Sequence, residues 1–150
     1  MKLKKLMLWA VACIAFGTVA PASFAQSDEL SYKEGPVVSV SYIRTEPGKF
    51  DEYMQYLATT YKQLMEEQKK AGIIVDYAVY SVSARTERDA DVILTTTYAN
   101  MAALDNLDEK TKAITAKIWG TRQASATASI NRGKLRTQVG TELIRRLIHK

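Results

Sequence analysis

Residues 35–80 read GPVVSVSYIRTEPGKFDEYMQYLATTYKQLMEEQKKAGIIVDYAVY, and their local period, turn chemistry and length all agree. From Val37 to Arg44, Val38, Val40, Tyr42 and Arg44 alternate with Val37, Ser39, Ser41 and Ile43, the two-residue period of a strand. Val, Tyr and Ile suit a pleated, partly buried surface. Thr45-Glu46-Pro47-Gly48 breaks the alternation, and Pro47, lacking an N–H, is expected in a helix's first turn. Asp51 and Glu52 follow, where carboxylates suit the positive end of the helix dipole. Phe50, Tyr53, Met54, Leu57, Tyr61, Leu64 and Met65 recur at helical spacing as one apolar stripe. Lys69 and Lys70 occupy the last turn, and Gly72 fits the left-handed cap. Ile73 to Arg85 predicts a second, long strand, with Val75, Tyr77 and Val79 opposing Ile74, Ala78, Tyr80 and Val82, so that both sides are expected to be covered.

On the N-terminal side, residues 26–35 (QSDELSYKEG) are polar and aperiodic and predict a flexible leader. Residues 1–25 have the layout of a bacterial secretory signal. Lys2, Lys4 and Lys5 form a basic start, Leu6 to Ala20 is apolar, and Ser23 and Ala25 hold the small positions before a cut preceding Gln26. The apolar run is shorter than the ~20 residues of a membrane span, so a periplasmic or secreted protein with no transmembrane segment in the mature chain is expected. The alternative takes Ala10-Val11-Ala12-Cys13 as a lipoprotein box with Cys13 lipidated, but only Leu6 to Ala12 would then precede the cut. Removing residues 1–25 takes three Lys and no acid, lowering the formal charge from +5 to +2, so the basic pI is no argument for nucleic acid. Cys13, the one cysteine, leaves with the signal, and the mature chain has no disulfide, thiol nucleophile or thiolate metal site. About 125 residues are enough to fold on an apolar core.

On the C-terminal side, residues 84–90 (ARTERDA) read as a charged hairpin tip, and Asp91 to Tyr98 as a third strand. Asn100 is a candidate N-cap for a second helical region, in which Leu104, Leu107, Ile114 and Ile118 form a stripe ending near Trp119. Residues 120–135, rich in Ala, Ser and Thr, fit either a helix or irregular chain, with Gly133 and Gly140 punctuating the exit. Thr141 to Ile148 closes as a strand. The order is β-α-β-β-α-β over residues 36–150, an α+β domain with an antiparallel sheet and helices on one face.

A strand, then R-T-E-P-G-K-F-D-E-Y (residues 44–53), a long helix, K-A-G (residues 70–72) and a second strand together resemble the dimeric α+β barrel superfamily of ferredoxin-like domains. That superfamily includes antibiotic-biosynthesis monooxygenases, stress-responsive A/B barrel proteins and NIPSNAP-like proteins. The resemblance implies a homodimer, with two sheets paired into a barrel across a two-fold axis. In the monooxygenases a cavity in this fold holds a polyaromatic substrate without metal or flavin. A fold shared this widely is a poor guide to activity.

Candidate chemistry is sparse. His149, the one histidine, is the penultimate residue, a poor place for a haem ligand or general base. No phosphate loop, serine elbow or metal-spaced acidic pair is present, and no cofactor is expected. Tyrosine is abundant: Tyr42, Tyr53, Tyr56, Tyr61, Tyr77, Tyr80 and Tyr98 fall on predicted strands and the first helix. They read either as core and interface aromatics or as the lining of a cavity between sheet and helices, with Arg44 and Trp119 at its mouth. Asp76 interrupts an apolar strand; if buried, its pKa is raised and it could act as a base, while the plainer reading is a paired or wet carboxylate. Tyr42, Arg44, Tyr80, Asp76 and Trp119 are therefore the candidate ligand-binding residues. Ser39 and Ser41 either widen a cavity or sit under a helix. The late basic residues Arg132, Lys134, Arg136, Arg145, Arg146 and Lys150 read as a solvated face or as edge protection. Without interleaved aromatics they are no nucleic-acid platform, though an anionic envelope component is an alternative partner. Three functions are expected from these residues: binding a small apolar or aromatic molecule, a cofactor-free oxygenase or isomerase in the same cavity, or an envelope interaction module without a pocket. A cavity of roughly 300 Å3 or more favours the first two.

Overall fold

A computed structural model describes residues 30–150; the signal segment, the cut after Ala25 and Cys13 lie outside the described residues. The elements are β1 (Tyr32–Thr45), α1 (Phe50–Tyr56), a π-helical stretch (Leu57–Tyr61), α2 (Lys62–Lys70), β2 (Asp76–Ser81), β3 (Val92–Tyr98), a 3-10 turn (Met101–Leu104), α3 (Leu107–Trp119), α4 (Arg122–Gly133) and β4 (Arg136–His149). The four strands form one sheet in the order β2-β3-β1-β4, antiparallel throughout. This is the split βαβ arrangement that the order of elements implied.

Register sorts the side chains into two faces. Val37, Ser39, Ser41 and Ile43 lie opposite Tyr98, Thr96, Leu94 and Val92, and Tyr77 opposite Thr96. This row meets the helices: Ile43, Val92 and Tyr98 are buried in one cluster with Tyr53, Leu57, Tyr61, Met65 and Ile74. The alternate row holds Val38, Tyr42, Ile93, Tyr80 and Ile144, and forms the open face of the sheet.

The buried helical residues Tyr53, Leu57, Tyr61 and Met65 are each four apart. An α-helix turns every 3.6 residues, so such a row drifts around the helix. A π turn takes in an extra residue, and the π-helical Leu57–Tyr61 sits mid-row, offsetting that drift and holding all four side chains against the sheet. Burying each contributes about 1.5–3 kcal/mol of transfer free energy. The helix ends in a Schellman cap: Gly72 has φ +69°, the Gly72 N–H donates to the Lys69 carbonyl at 3.1 Å, and the Ile73 N–H donates to the Gln68 carbonyl at 3.0 Å.

Several boundaries differ from the sequence-based expectation. Residues 32–34 are not part of a loose leader: Tyr32, Lys33 and Glu34 pair with His149, Ile148 and Leu147, and β1 bulges between Glu34 and Val37. Pro36 cannot donate to a ladder and falls within that bulge, where its missing N–H is tolerated. Pro47 is not in the first helical turn. It precedes Gly48 (φ +72°) in a tight turn closed by the Lys49 N–H to the Glu46 carbonyl at 2.8 Å. β2 stops at Ser81 and lies at the sheet edge, with Val79 41% and Tyr80 53% exposed, so its two sides are not both covered within one chain. Asn100 caps, accepting from the Ala103 N–H at 3.0 Å, but what it caps is the 3-10 turn. Residues 120–135 are mostly helix, started by Thr121 accepting from the Ala124 N–H at 3.0 Å. β4 begins at Arg136, five residues before Thr141, and bulges where Gln138 and Gly140 straddle Val139.

Two predictions test this packing. A Cβ on Gly35 would sit 2.9 Å from the Arg146 carbonyl oxygen in the bulge. Gly35→Ala should therefore cost about 1–3 kcal/mol in denaturant unfolding and expose the Lys33 and Glu34 amides to exchange; unchanged values would mean that 32–34 are not paired with β4. Burial pushes the Tyr61 hydroxyl from its ordinary 10.0 up to about 12, with Thr96 opposing. The folded state thus holds its proton longer than the unfolded chain does. That stabilisation is complete below pH 10, disappears as pH rises to about 12, and amounts to roughly 2–3 kcal/mol. Stability should fall over that interval, and Tyr61→Phe should flatten the fall; an equally steep loss in the variant would contradict it.

Candidate functional site

Between the sheet and α1–α2 lies a cavity of about 230 Å3 lined by Ser41, Tyr53, Tyr56, Tyr61, Leu64, Met65, Leu94, Thr96, Arg132 and Arg136. Its origin is local. Ser41 and Thr96 are short side chains on the helix-facing row, and the tyrosines opposite them span the gap without filling it. Of the two expectations for Ser41, the structure supports the one that widens a cavity. The volume is below the roughly 300 Å3 of a pocket for drug-sized ligands, so a polyaromatic substrate of the kind the resemblance implied does not fit within it.

The polar atoms of the cavity are unevenly satisfied. Arg132 Nη1 donates to Tyr56 Oη at 3.1 Å and Arg132 Nη2 to Ser129 Oγ at 3.1 Å. Arg136 Nη1 donates to Gln138 Oε1 at 3.2 Å, but Arg136 Nε is buried with no hydrogen-bond partner among the described residues. Tyr53 is fully buried, and its Oη has no partner among them either. No ion pair among the described residues involves Arg132 or Arg136. Burial holds the Arg136 guanidinium below its ordinary value, with Tyr53 opposing and repulsion from Arg132 adding to the effect. Burial raises the Tyr53 hydroxyl, opposed first by Arg136. The Tyr53 hydroxyl therefore keeps its proton at neutral pH. The cavity presents O–H and N–H donors and positive charge, and its lining contains no carboxylate or imidazole to take a proton.

Five residues had been singled out from the sequence, and none lines this cavity. Tyr42 and Tyr80 flank Ile93 across the open face. Tyr42 Oη donates to Glu142 Oε1 at 2.6 Å, which raises its pKa. Arg44 lines a surface groove of about 570 Å3 with Pro47, Ala84 and Asp89. Asp76 is exposed and accepts from Lys69 Nζ at 2.8 Å, so its carboxyl is held below the usual range by that bond and by the Tyr77 N–H. Of the two readings of Asp76 the structure has the plainer one, an exposed carboxylate paired with a lysine, and not the buried base. Trp119 comes nearest, lining an adjoining groove of about 280 Å3 that shares Tyr56 and Arg132 with the cavity.

The late basic residues are not one solvated face: Arg132 and Arg136 line the cavity, and Arg145 pairs with Glu34. Their role was hidden because residues 120–135 carry weak helical signals. Alternation extended back from Ile144 would put Arg136 on the open face; only the bulge at Val139 turns it opposite Thr45, on the row of Ile43. His149 closes β4 opposite Tyr32. Among the described residues no group of His, Cys, Asp and Glu could hold a metal ion, and no helix is long and apolar enough to cross a membrane.

No protein-family model matches the sequence, and no curated protein is significantly similar to it. Solved structures do match. HapK from Hahella chejuensis superposes with a TM-score of 0.52 at 11% identity, covering 73% of this chain and 91% of that one. Protein SO0527 from Shewanella oneidensis superposes at 0.50 with 15% identity, covering 78% and 98%. A dimeric ferredoxin-like protein from an uncultured marine organism superposes at 0.48 with 13% identity, covering 77% and 96%. At these identities the likeness is one of fold. With its β2-β3-β1-β4 sheet and helices on one face, the chain has the ferredoxin-like fold on which dimeric α+β barrels are built.

Proposed function

We propose that this chain is an exported homodimer that binds a small molecule between its sheet and its long helix. The observation that carries the binding reading is the pair of buried, unpartnered polar atoms, Tyr53 Oη and Arg136 Nε, in one cavity. A buried polar atom without a partner costs about 1–3 kcal/mol, and a ligand supplying an acceptor removes that cost. Binding is favoured over a cofactor-free oxygenase or isomerase because the lining offers donors and cations but no base. Against a pocketless interaction module the cavity's size does not decide, since about 230 Å3 falls short of roughly 300 Å3; the two unpartnered polar atoms on its lining residues do.

The homodimer reading rests on the open face. Tyr80 and Ile144 lie there 53% and 49% exposed, with Ile148 exposed on the same row of edge strand β4. An apolar surface of this extent on an antiparallel sheet needs cover, and a second copy related by a two-fold axis supplies a matching surface. Export follows from the N-terminal signal with its cut before Gln26.

Native mass spectrometry of protein recovered from its own periplasm or medium reads all three features. The expected species is two chains, each beginning at Gln26, with a small organic adduct. Ile144→Arg on the open face should halve the mass. Single chains in the parent protein would overturn the dimer, a start at Cys13 would overturn soluble export, and adduct-free dimers that also fail to take up any probe would overturn binding.

A further inference from the structure

We infer that the ligand is a small single-ring carboxylic acid, its carboxylate drawn to Arg136 and Tyr53, whose covered Nε and Oη turn to meet it, and its ring against Tyr61, Leu64, Met65 and Leu94. This rests on the reading of the cavity as a ligand site.

Charge supplies the first reason. Two guanidinium groups, Arg132 and Arg136, line one cavity, and neither has an ion-pair partner among the described residues. Desolvated cations are ordinarily paired, and here only the Tyr53 and Tyr56 hydroxyls, not a carboxylate, oppose the repulsion between the two. Donor geometry supplies the second. The terminal nitrogens of Arg132 are engaged by Tyr56 and Ser129, and Arg136 Nη1 by Gln138, while Arg136 Nε and the Tyr53 hydroxyl are covered by the fold without a partner among the described residues. The guanidinium edge carrying Nε is planar and matches a carboxylate, while Arg132 contributes charge.

Size and wall chemistry supply the third. About 230 Å3 is room for about eight water-sized groups at roughly 30 Å3 each, which admits one ring with one carboxylate and excludes nucleotides and fused polycyclic molecules. The remaining walls are apolar or aromatic, and the Tyr53 and Tyr56 rings stack at 6.0 Å with an interplanar angle of 13°. An inorganic anion would satisfy the cations but leave those walls against empty space; a ring meets both demands.

The probes are benzoate, the neutral isostere benzamide and inorganic phosphate, titrated into the mature dimer and followed by calorimetry and amide chemical shifts. Benzoate should bind at least tenfold more tightly than benzamide or phosphate, with shifts at Tyr53, Leu94 and Arg136. Arg136→Gln should abolish that preference. Arg136→Lys, which keeps the charge but loses the planar edge, should lose most of it, with both variants melting as the parent does. Equal binding of benzamide, displaced by the same variants, would overturn the acid assignment and leave the ligand site standing. Phosphate binding as tightly as benzoate would overturn the ring. No binding of any probe, with the cavity resonances unmoved, would overturn the ligand site itself.

Discussion

A helix that must lay residues four apart along a sheet sets the terms for the rest of this molecule. Tyr53, Leu57, Tyr61 and Met65 form the buried row, and the π-helical Leu57–Tyr61 keeps them aligned over Ile43, Val92 and Tyr98. Two members of that row are tyrosines, which bring length and a hydroxyl where leucine would bring only bulk. Opposite them the sheet offers Ser41 and Thr96 as well as Leu94. Long side chains over short ones leave a void, so the contact that builds the core also leaves the cavity.

The cavity is then finished by chain far away in sequence. α4 brings Arg132 against Tyr56, and the first residue of β4 brings Arg136, two placements that depend on the two-residue link of Lys134 and Leu135 between helix and strand. Cations and unsatisfied donors in a partly buried site work against the stability of the empty protein. A fold tolerates such features when burial elsewhere offsets them, and they commonly mark places where function outweighs stability. The outer surface has its own unmet demand, because the open sheet face and β4 remain apolar and exposed in a single chain. The same sheet therefore carries unsatisfied donors on one side and uncovered apolar side chains on the other.

Much of the fold was legible in the sequence because its signals were local. The alternation of residues 37–44, the stripe of residues 50–65 and the Gly72 cap each needed only neighbours to interpret. Boundaries failed where pairing partners overrode composition: polar Tyr32–Glu34 became strand because β4 lies beside them, and apolar Ile73–Val75 did not. The site was less legible for the same reason. Tyr42, Arg44, Asp76 and Tyr80 looked promising by residue type, yet strand parity or a nearby lysine sends them to the open face, a surface groove or solvent. Tyr53 was read as part of the stripe, which it is, and nothing within its own helix reveals that its hydroxyl lacks a partner. Arg136 carried no helical or strand signal of its own.

The stability of Tyr53→Phe, measured by denaturant unfolding of the ligand-free mature protein, bears most directly on this account. The substitution keeps the ring and removes one oxygen. If that oxygen is buried and unpaired, the variant should be as stable as the parent or more stable by about 1 kcal/mol, since a desolvated group has been deleted without loss of a bond. A loss of 1 kcal/mol or more would mean that the Tyr53 hydroxyl is bonded within the fold. The cavity would then be ordinary core packing, with no place prepared for a ligand.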